Sequence, residues 1–226
     1  MKNFGLKLML CALLCALLAP AALGQGFDAN RDEGLKALKE GDYARAEALL
    51  AAALADAASF APTDARLGPV FEGLATAYLR QQKYAEAEAP FHRALAVRGR
   101  HSGHESLEVI PSLHGLALVY AGQKKFTEAE PLSRRAMAIA EKLAGAEHPA
   151  YARALNNLAA VYVEQEKFAD AEAHYARALR IQEQALGADH VELAETLDPY
   201  AALLRLMGRE DDAAAMEARA AALRAQ

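Results

Sequence analysis

The chain has 226 residues, 54% of them hydrophobic and 24% charged, and it contains no tryptophan. That length fits one compact domain or one short solenoid, and the composition is that of a folded protein. Its 25 Lys and Arg against 30 Asp and Glu give a net charge of −5, which argues against nucleic acid as a partner, since neutralising phosphates needs clustered cations.

Residues 1–24 have the three parts of a secretory signal peptide. Lys2 and Lys7 supply a positive start, Leu8 to Leu18 a greasy centre, and Pro20-Ala-Ala-Leu-Gly24 a small-residue exit. The centre is too short for a permanent membrane anchor. Cleavage is expected after Gly24, with Ala22 and Gly24 as the small residues and Gln25 as the new N-terminus; cleavage after Ala21 is the alternative. The expected location is therefore periplasmic or secreted, with no stable membrane span after cleavage. Cys11 and Cys15 both lie inside this segment, but Leu10 and Leu14 stand where lipoprotein signals place a small residue, so lipidation is not expected. The remainder has no cysteine, hence neither disulfides nor thiolate metal sites. Without Lys2 and Lys7, 23 basic residues face 30 acidic ones, a net charge of −7.

From residue 25 onward the chain repeats. Glu72-Gly-Leu-Ala-Thr-Ala-Tyr78, His114-Gly-Leu-Ala-Leu-Val-Tyr120 and Asn156-Asn-Leu-Ala-Ala-Val-Tyr162 follow one another at a step of 42 residues, and Asp198-Pro-Tyr-Ala-Ala-Leu-Leu204 keeps the step. A second block recurs downstream at Tyr84-Ala-Glu-Ala87, Phe126-Thr-Glu-Ala129, Phe168-Ala-Asp-Ala171 and Glu210-Asp-Asp-Ala213, with Tyr43-Ala-Arg-Ala46 upstream and one residue out of step. Such periodicity marks a stacked array. Five units are expected over about 28–64, 65–106, 107–148, 149–190 and 191–226. Three columns of small residues run through them: Gly34, Ala75, Ala117, Ala159 and Ala201; Ala46, Ala87, Ala129, Ala171 and Ala213; Ala53, Ala94, Ala136, Ala178 and Ala220. Small residues at fixed spacing let helix axes approach closely, and larger ones between them, such as Leu155, Leu158 and Tyr162, fill the gaps at helical spacing. Alanine is abundant while Val and Ile are scarce, which favours helix over strand. Each unit thus reads as helix A, a short turn and helix B. In the fourth unit these cover about 150–165 and 168–186, and Gly41-Asp42 closes the first helix A.

These blocks resemble the tetratricopeptide repeat (TPR), and the long step resembles its kinesin-light-chain type. Ala154-Leu-Asn-Asn-Leu-Ala-Ala-Val-Tyr162 is the nearest match, with Gly187-Ala-Asp-His190 and Gly145-Ala-Glu-His-Pro149 as turns between repeats. The resemblance implies an all-α fold, an α-solenoid of about five helical hairpins whose groove is lined by helix A, and a role in binding protein or peptide partners. Pro90 and Pro131 fall within helix B of their units. Pro131 lies near the first turn, whereas Pro90 lacks the N–H that would meet the Glu86 carbonyl, so a kink is expected there. The irregular first and last units are expected to cap the array.

Catalytic chemistry finds no footing. His148 and His190 hold the same place in successive turns, a structural position. His101 and His104 are close in sequence but have no third ligand of fixed geometry, and zinc wants more. Ser59, Ser102, Ser106, Ser112 and Ser133 lie outside any Gly-x-Ser-x-Gly turn, and no glycine-rich phosphate loop is present. Glu86 with Glu88 and Glu128 with Glu130 recur as expected first-turn residues of helix B, facing the positive end of its dipole. No catalytic, cofactor or metal residues are assigned.

The remaining candidate surface is the helix A wall. Its outward positions are Glu72, Thr76 and Arg80, then His114 and Leu118, then Arg153, Asn156, Asn157 and Glu164, and finally Glu195, Asp198 and Arg205. Of these, Glu72, Thr76, His114, Arg153, Asn156, Asn157, Glu195, Asp198 and Arg205 form the expected partner-binding set. A carboxamide both donates and accepts, which suits it to gripping a peptide backbone. Kinesin-light-chain-like repeats carry an Asn pair from unit to unit; here only Asn156-Asn157 keeps it. Asn156 has a second reading, as a bridge to a neighbouring helix. The expected function is an exported scaffold for protein–protein interaction. The alternatives are a spacer self-associating through its alanine-rich last helix, or an accessory to an enzyme.

Overall fold

The computed structural model describes residues 26–225, so the expected signal peptide and its cleavage site lie outside the described residues. Among the described residues there are ten α-helices, two short 3-10 turns and no strands, in two compact units that divide between Phe60 and Ala61.

The first unit is one hairpin, α1 (Phe27–Lys39) and α2 (Tyr43–Asp56). Gly41 closes α1 at φ 81°, a left-handed backbone that glycine adopts freely. Asp42 then caps α2 by accepting from the Arg45 amide at 3.1 Å. The close approach of the two helices requires glycine at position 34, where an added Cβ would lie 2.7 Å from the Leu50 Cγ. At the open end, Asn30 donates to Asp56 at 2.8 Å and Phe27 meets Phe60 edge-on.

The second unit stacks four hairpins: α3 (Leu67–Arg80) with α4 (Tyr84–Ser102), α5 (Ile110–Gly122) with α6 (Phe126–Ala144), α7 (Pro149–Glu164) with α8 (Phe168–Leu186), and α9 (Ala194–Leu206) with α10 (Glu210–Arg224). Each A helix packs on its own B helix, and each B helix on the next A helix. This is an α-solenoid, as the period implies. All fourteen alanines of the three small columns have zero exposure, and Gly34 is buried. Between the columns Leu155, Leu158, Tyr162 and Tyr175 fill the core, and the Tyr175 ring stacks on Tyr200 of the following helix at 5.9 Å. Burying one such large side chain contributes about 1.5–3 kcal/mol, so these residues carry the cohesion while the alanines set the spacing.

One turn is used throughout. The residue past each A helix takes a positive φ: Gln82 at 60°, Lys124 at 62°, Glu166 at 59° and Gly208 at 75°. In each case the next amide reaches back to the carbonyl five residues earlier, Lys83 to Tyr78, Lys125 to Tyr120, Lys167 to Tyr162 and Arg209 to Leu204. This is the Schellman closure of a helix C-terminus. The three lysines also lay their ammonium groups over the rings of Tyr78, Tyr120 and Tyr162 at 5.5–5.7 Å. Between hairpins, Gly103, Gly145 and Gly187 turn the chain at φ 94–97°. His148 and His190 then accept from the amides of Ala150 and Glu192, the structural role their shared position implied.

Helix α4 continues through Pro90, and one local expectation needs correction. Glu86 and Glu128 do sit in first turns, but Glu88 and Glu130 lie a residue pair further on and are engaged laterally: Glu88 accepts from the Tyr120 hydroxyl, and Glu130 meets Arg134 and Lys167. The apolar stacking seam also changes at α10. On α8 that seam is Tyr175, Leu179 and Gln182, facing Tyr200, Leu197 and Thr196. The same register on α10 is Glu217, Ala221 and Arg224, with Glu217 paired to Arg205 and Arg224 to Asp198.

Candidate functional site

Two concavities lie side by side between successive A helices of the second unit. The larger, about 470 Å³, is lined from α3 by Glu72, Thr76 and Arg80, from α5 by His114 and Leu118, and from α7 by Glu164. The smaller, about 330 Å³, has an apolar floor of Leu107, Ile110, Pro111 and Ala150 and a polar rim of His114, Arg153, Asn156, Asn157 and Glu195. Pro111 and His114 line both. Seven of the nine expected binding residues are thereby brought together: Glu72, Thr76, His114, Arg153, Asn156, Asn157 and Glu195. Asp198 and Arg205 line neither concavity. They turn to α10, where Asp198 meets Arg224 and Arg205 meets Glu217 and Glu210.

Being on this wall does not make a side chain free. Arg98 Nη2 of α4 lies 2.6 Å from Glu72 Oε2, and burial pushes the Glu72 carboxyl above its usual range despite that neighbouring charge. Thr76 spends its hydroxyl on the Glu72 carbonyl at 2.8 Å. Asn156 Nδ2 donates to Thr196, whose hydroxyl donates at 2.5 Å to Gln182, so Asn156 bridges α7, α8 and α9. Arg153 stands 3.8 Å from Glu192. Asn157 makes no side-chain hydrogen bond to any described residue.

These contacts share one register, missed in reading the sequence. A polar residue on helix A is matched by one 26 positions later on helix B: Glu72 with Arg98, Asp198 with Arg224, and Asn156 with Gln182 through Thr196. Comparing columns at that spacing would have found it. The exception is the second hairpin of this unit, where His114 has Ala140 at the matching position. His114 Nδ1 is buried without a partner. Its pKa is pushed down to about 4 by burial, with the positive charge of Arg80 adding to the effect, so the imidazole is neutral at pH 7.

What this wall offers is hydrogen bonding, shape and modest charge. Among the described residues no group of three His, Cys, Asp or Glu side chains could hold a metal ion, and no helix is long and apolar enough to cross a membrane.

Profiles described as tetratricopeptide repeat match residues 72–108, 108–184 and 154–226. No curated protein matches the chain. Among solved structures, BtubC (BKLC) from P. vanneervenii is 26% identical, with 85% of this chain and 77% of that one covered and a TM-score of 0.61. A putative kinesin light chain from Podosopora anserina with nearly identical TPR-like repeats is 22% identical over 88% and 94% of the two chains, TM-score 0.63. A Rap protein complexed with competence and sporulation factor has a TM-score of 0.75 at 14% identity; the match covers 88% of this chain but 54% of that protein. The last two likenesses concern the fold alone.

Proposed function

The chain belongs to the tetratricopeptide-repeat family, and on that premise we propose that it is an exported, non-catalytic scaffold that binds a protein or peptide partner along the helix A wall of α3, α5, α7 and α9. One observation carries this reading. Side chains from four successive A helices converge on two adjoining concavities that meet at His114, and Asn157 and Glu195 there are not tied to other side chains. A surface serving only to stack helices would have its polar groups paired off, as Glu72 and Asp198 are. The TPR fold gives protein binding as the prior, and the Rap protein solved with competence and sporulation factor is one neighbour of this fold with a bound partner. Export is supported by the charged start, apolar centre and small-residue exit of residues 1–24.

Self-association by continued stacking has less support, because the outward seam of α10 carries the paired charges Glu217 and Arg224 where α8 carries Tyr175 and Gln182.

The test is photo-cross-linking in cells from a probe at Asn157, with a second at Glu195 and a control at exposed Ala176 on α8. The same protein trapped from Asn157 and Glu195 but not from Ala176 supports the wall as the binding surface. Equal trapping from Ala176, or none at Asn157, sinks it. The exported form is checked by intact mass of envelope protein, which should begin at Gln25.

A further inference from the structure

We propose that the smaller concavity is a subsite for an uncharged, hydrogen-bond-donating side chain of the partner, such as a carboxamide on a short apolar stem; this rests on the binding reading above. Two orphan atoms point to it. Asn156 Oδ1 is buried and has no donor, its own amide nitrogen being spent on Thr196. His114 Nδ1 is buried and has no partner either. Both residues line the same concavity. Buried polar atoms are nearly always satisfied in native proteins, so two orphans on one opening mark where a partner group completes the set.

The register of the repeat strengthens this. In the other hairpins of the unit the residue at the His114 position serves the structure, pairing across to helix B. At His114 that structural partner is replaced by Ala140, and the residue lines both concavities with its Nδ1 unpaired.

Shape and charge then select the guest. About 330 Å³ over Leu107, Ile110, Pro111 and Ala150 holds one or two side chains with an apolar stem. An anionic head would meet the carbonyl oxygen of Asn156 and the carboxylate of Glu195. A cationic head would be drawn by Glu195 and could donate to Asn156, but it would lose its hydration over an apolar floor with Arg153 at the rim and Arg80 beyond His114. Arg153 is itself partly balanced by Glu192 at 3.8 Å. A neutral donor satisfies Asn156 Oδ1, and its acceptor half can accept a hydrogen bond from the His114 ring or the Asn157 amide. The neutral state of the His114 ring near pH 7 fits such a guest.

The proposal is tested on the purified protein with three probes of one stem: butyramide, butyrate and butylammonium. Their binding is followed by NMR through the His114 ring and the Asn156 side-chain amide. Butyramide should shift both signals saturably and bind about tenfold more tightly than either ion. His114→Phe, which keeps the ring and removes its nitrogens, should abolish the preference while the spectrum stays folded. Equal response to all three probes, tighter binding of an ion, or no response at His114 and Asn156 overturns the subsite. If the probes fail while cross-linking from Asn157 still traps a protein, the subsite falls and the scaffold stands. If the probes discriminate but nothing is trapped, the scaffold falls instead.

Discussion

Arg98 reaches across the α3–α4 hairpin to within 2.6 Å of Glu72, and 42 residues later the same two positions are held by His114 and Ala140, which cannot pair. The repeat thus carries a polar couple between its two helices as a structural device and omits it once. At Glu72 the effect of burial outweighs the attraction of Arg98, since the carboxyl is pushed up rather than down. The couple is therefore close to break-even, as semi-buried ion pairs tend to be. Glu72→Gln should leave stability within about 0.5 kcal/mol of the parent, because it removes a costly charge and keeps the shape. Arg98→Met should cost about 2 kcal/mol, because it strands the carboxylate. Denaturant unfolding of both measures the contrast; equal costs would mean that the couple has no asymmetry.

His114 makes stability depend on pH. In the unfolded chain its ring protonates around pH 6.5, whereas the folded ring holds out to about 4. The stability of keeping it neutral is complete above pH 6.5 and is lost as the pH falls toward 4, by up to about 3 kcal/mol. His114→Asn, also neutral but not titratable, should lose less over that interval. Glu72 titrates in both proteins and with the opposite sign, so the difference between the two unfolding curves isolates the histidine. Parallel curves between pH 7 and 4 would contradict the buried, unpaired state.

The columns of alanine made the fold legible, because each small position recurs with the period of the stack, and all of them are buried. The His148 and His190 turns were legible for the same reason. The site was only half legible. Helical phase placed Glu72, His114, Asn156 and Glu195 on one wall, but phase along one helix says nothing about what the neighbouring helix offers. Asp198 and Arg205 lie on helix A as expected but line neither concavity, because Arg224 and Glu217 engage them. The floor residues Leu107, Ile110 and Pro111 were missed because they belong to a 3-10 turn, Leu107–Val109, and the first turn of α5, outside the repeated blocks that start at His114.

The shared turn makes a prediction about backbone strain. Gln82, Lys124 and Glu166 occupy the left-handed conformation that Gly208 occupies in the last hairpin. A residue with a side chain is strained there by about 1–2 kcal/mol, of which glycine's greater unfolded freedom takes back about 0.5–1. Glu166→Gly should therefore raise stability by roughly 0.5–1 kcal/mol, and Gly208→Gln should lower it by a similar amount. Thermal unfolding that moves both variants the same way would show that turn conformation is not what separates them.

Packing and wall should respond very differently within one helix. Ala159 has zero exposure among Leu158, Tyr175 and Tyr200, so Ala159→Leu overpacks the core at a cost of roughly 1–3 kcal/mol. Arg153 is exposed and makes a 3.8 Å surface contact with Glu192, so Arg153→Ala should cost under about 0.5 kcal/mol. Variants that melt alike would invalidate the assignment of inner and outer faces.

The adjacent asparagines separate binding from folding. Asn156 is the end of a buried chain through Thr196 to Gln182, so Asn156→Ala leaves a buried hydroxyl short of a donor and should cost about 1–3 kcal/mol of stability. Asn157 has no such tie and faces the smaller concavity. Asn157→Ala should leave the melting transition unchanged or raise it slightly, since alanine is the better helix former. Its effect belongs to the partner, whose capture should weaken by about 1–3 kcal/mol when a buried polar contact is left unpaired. Charge reversal at Glu195 should act mainly on association rate and its salt dependence, because a rim charge steers the encounter more than it holds the complex. The control is the last turn of α4 and the segment after it, with Arg100, His101 and His104 changed together to alanine. Surface plasmon resonance with the trapped partner should show Asn157→Ala dissociating faster and the triple variant matching the parent. The reverse pattern would move recognition to the edge between repeats and leave the helix A wall with a structural role only.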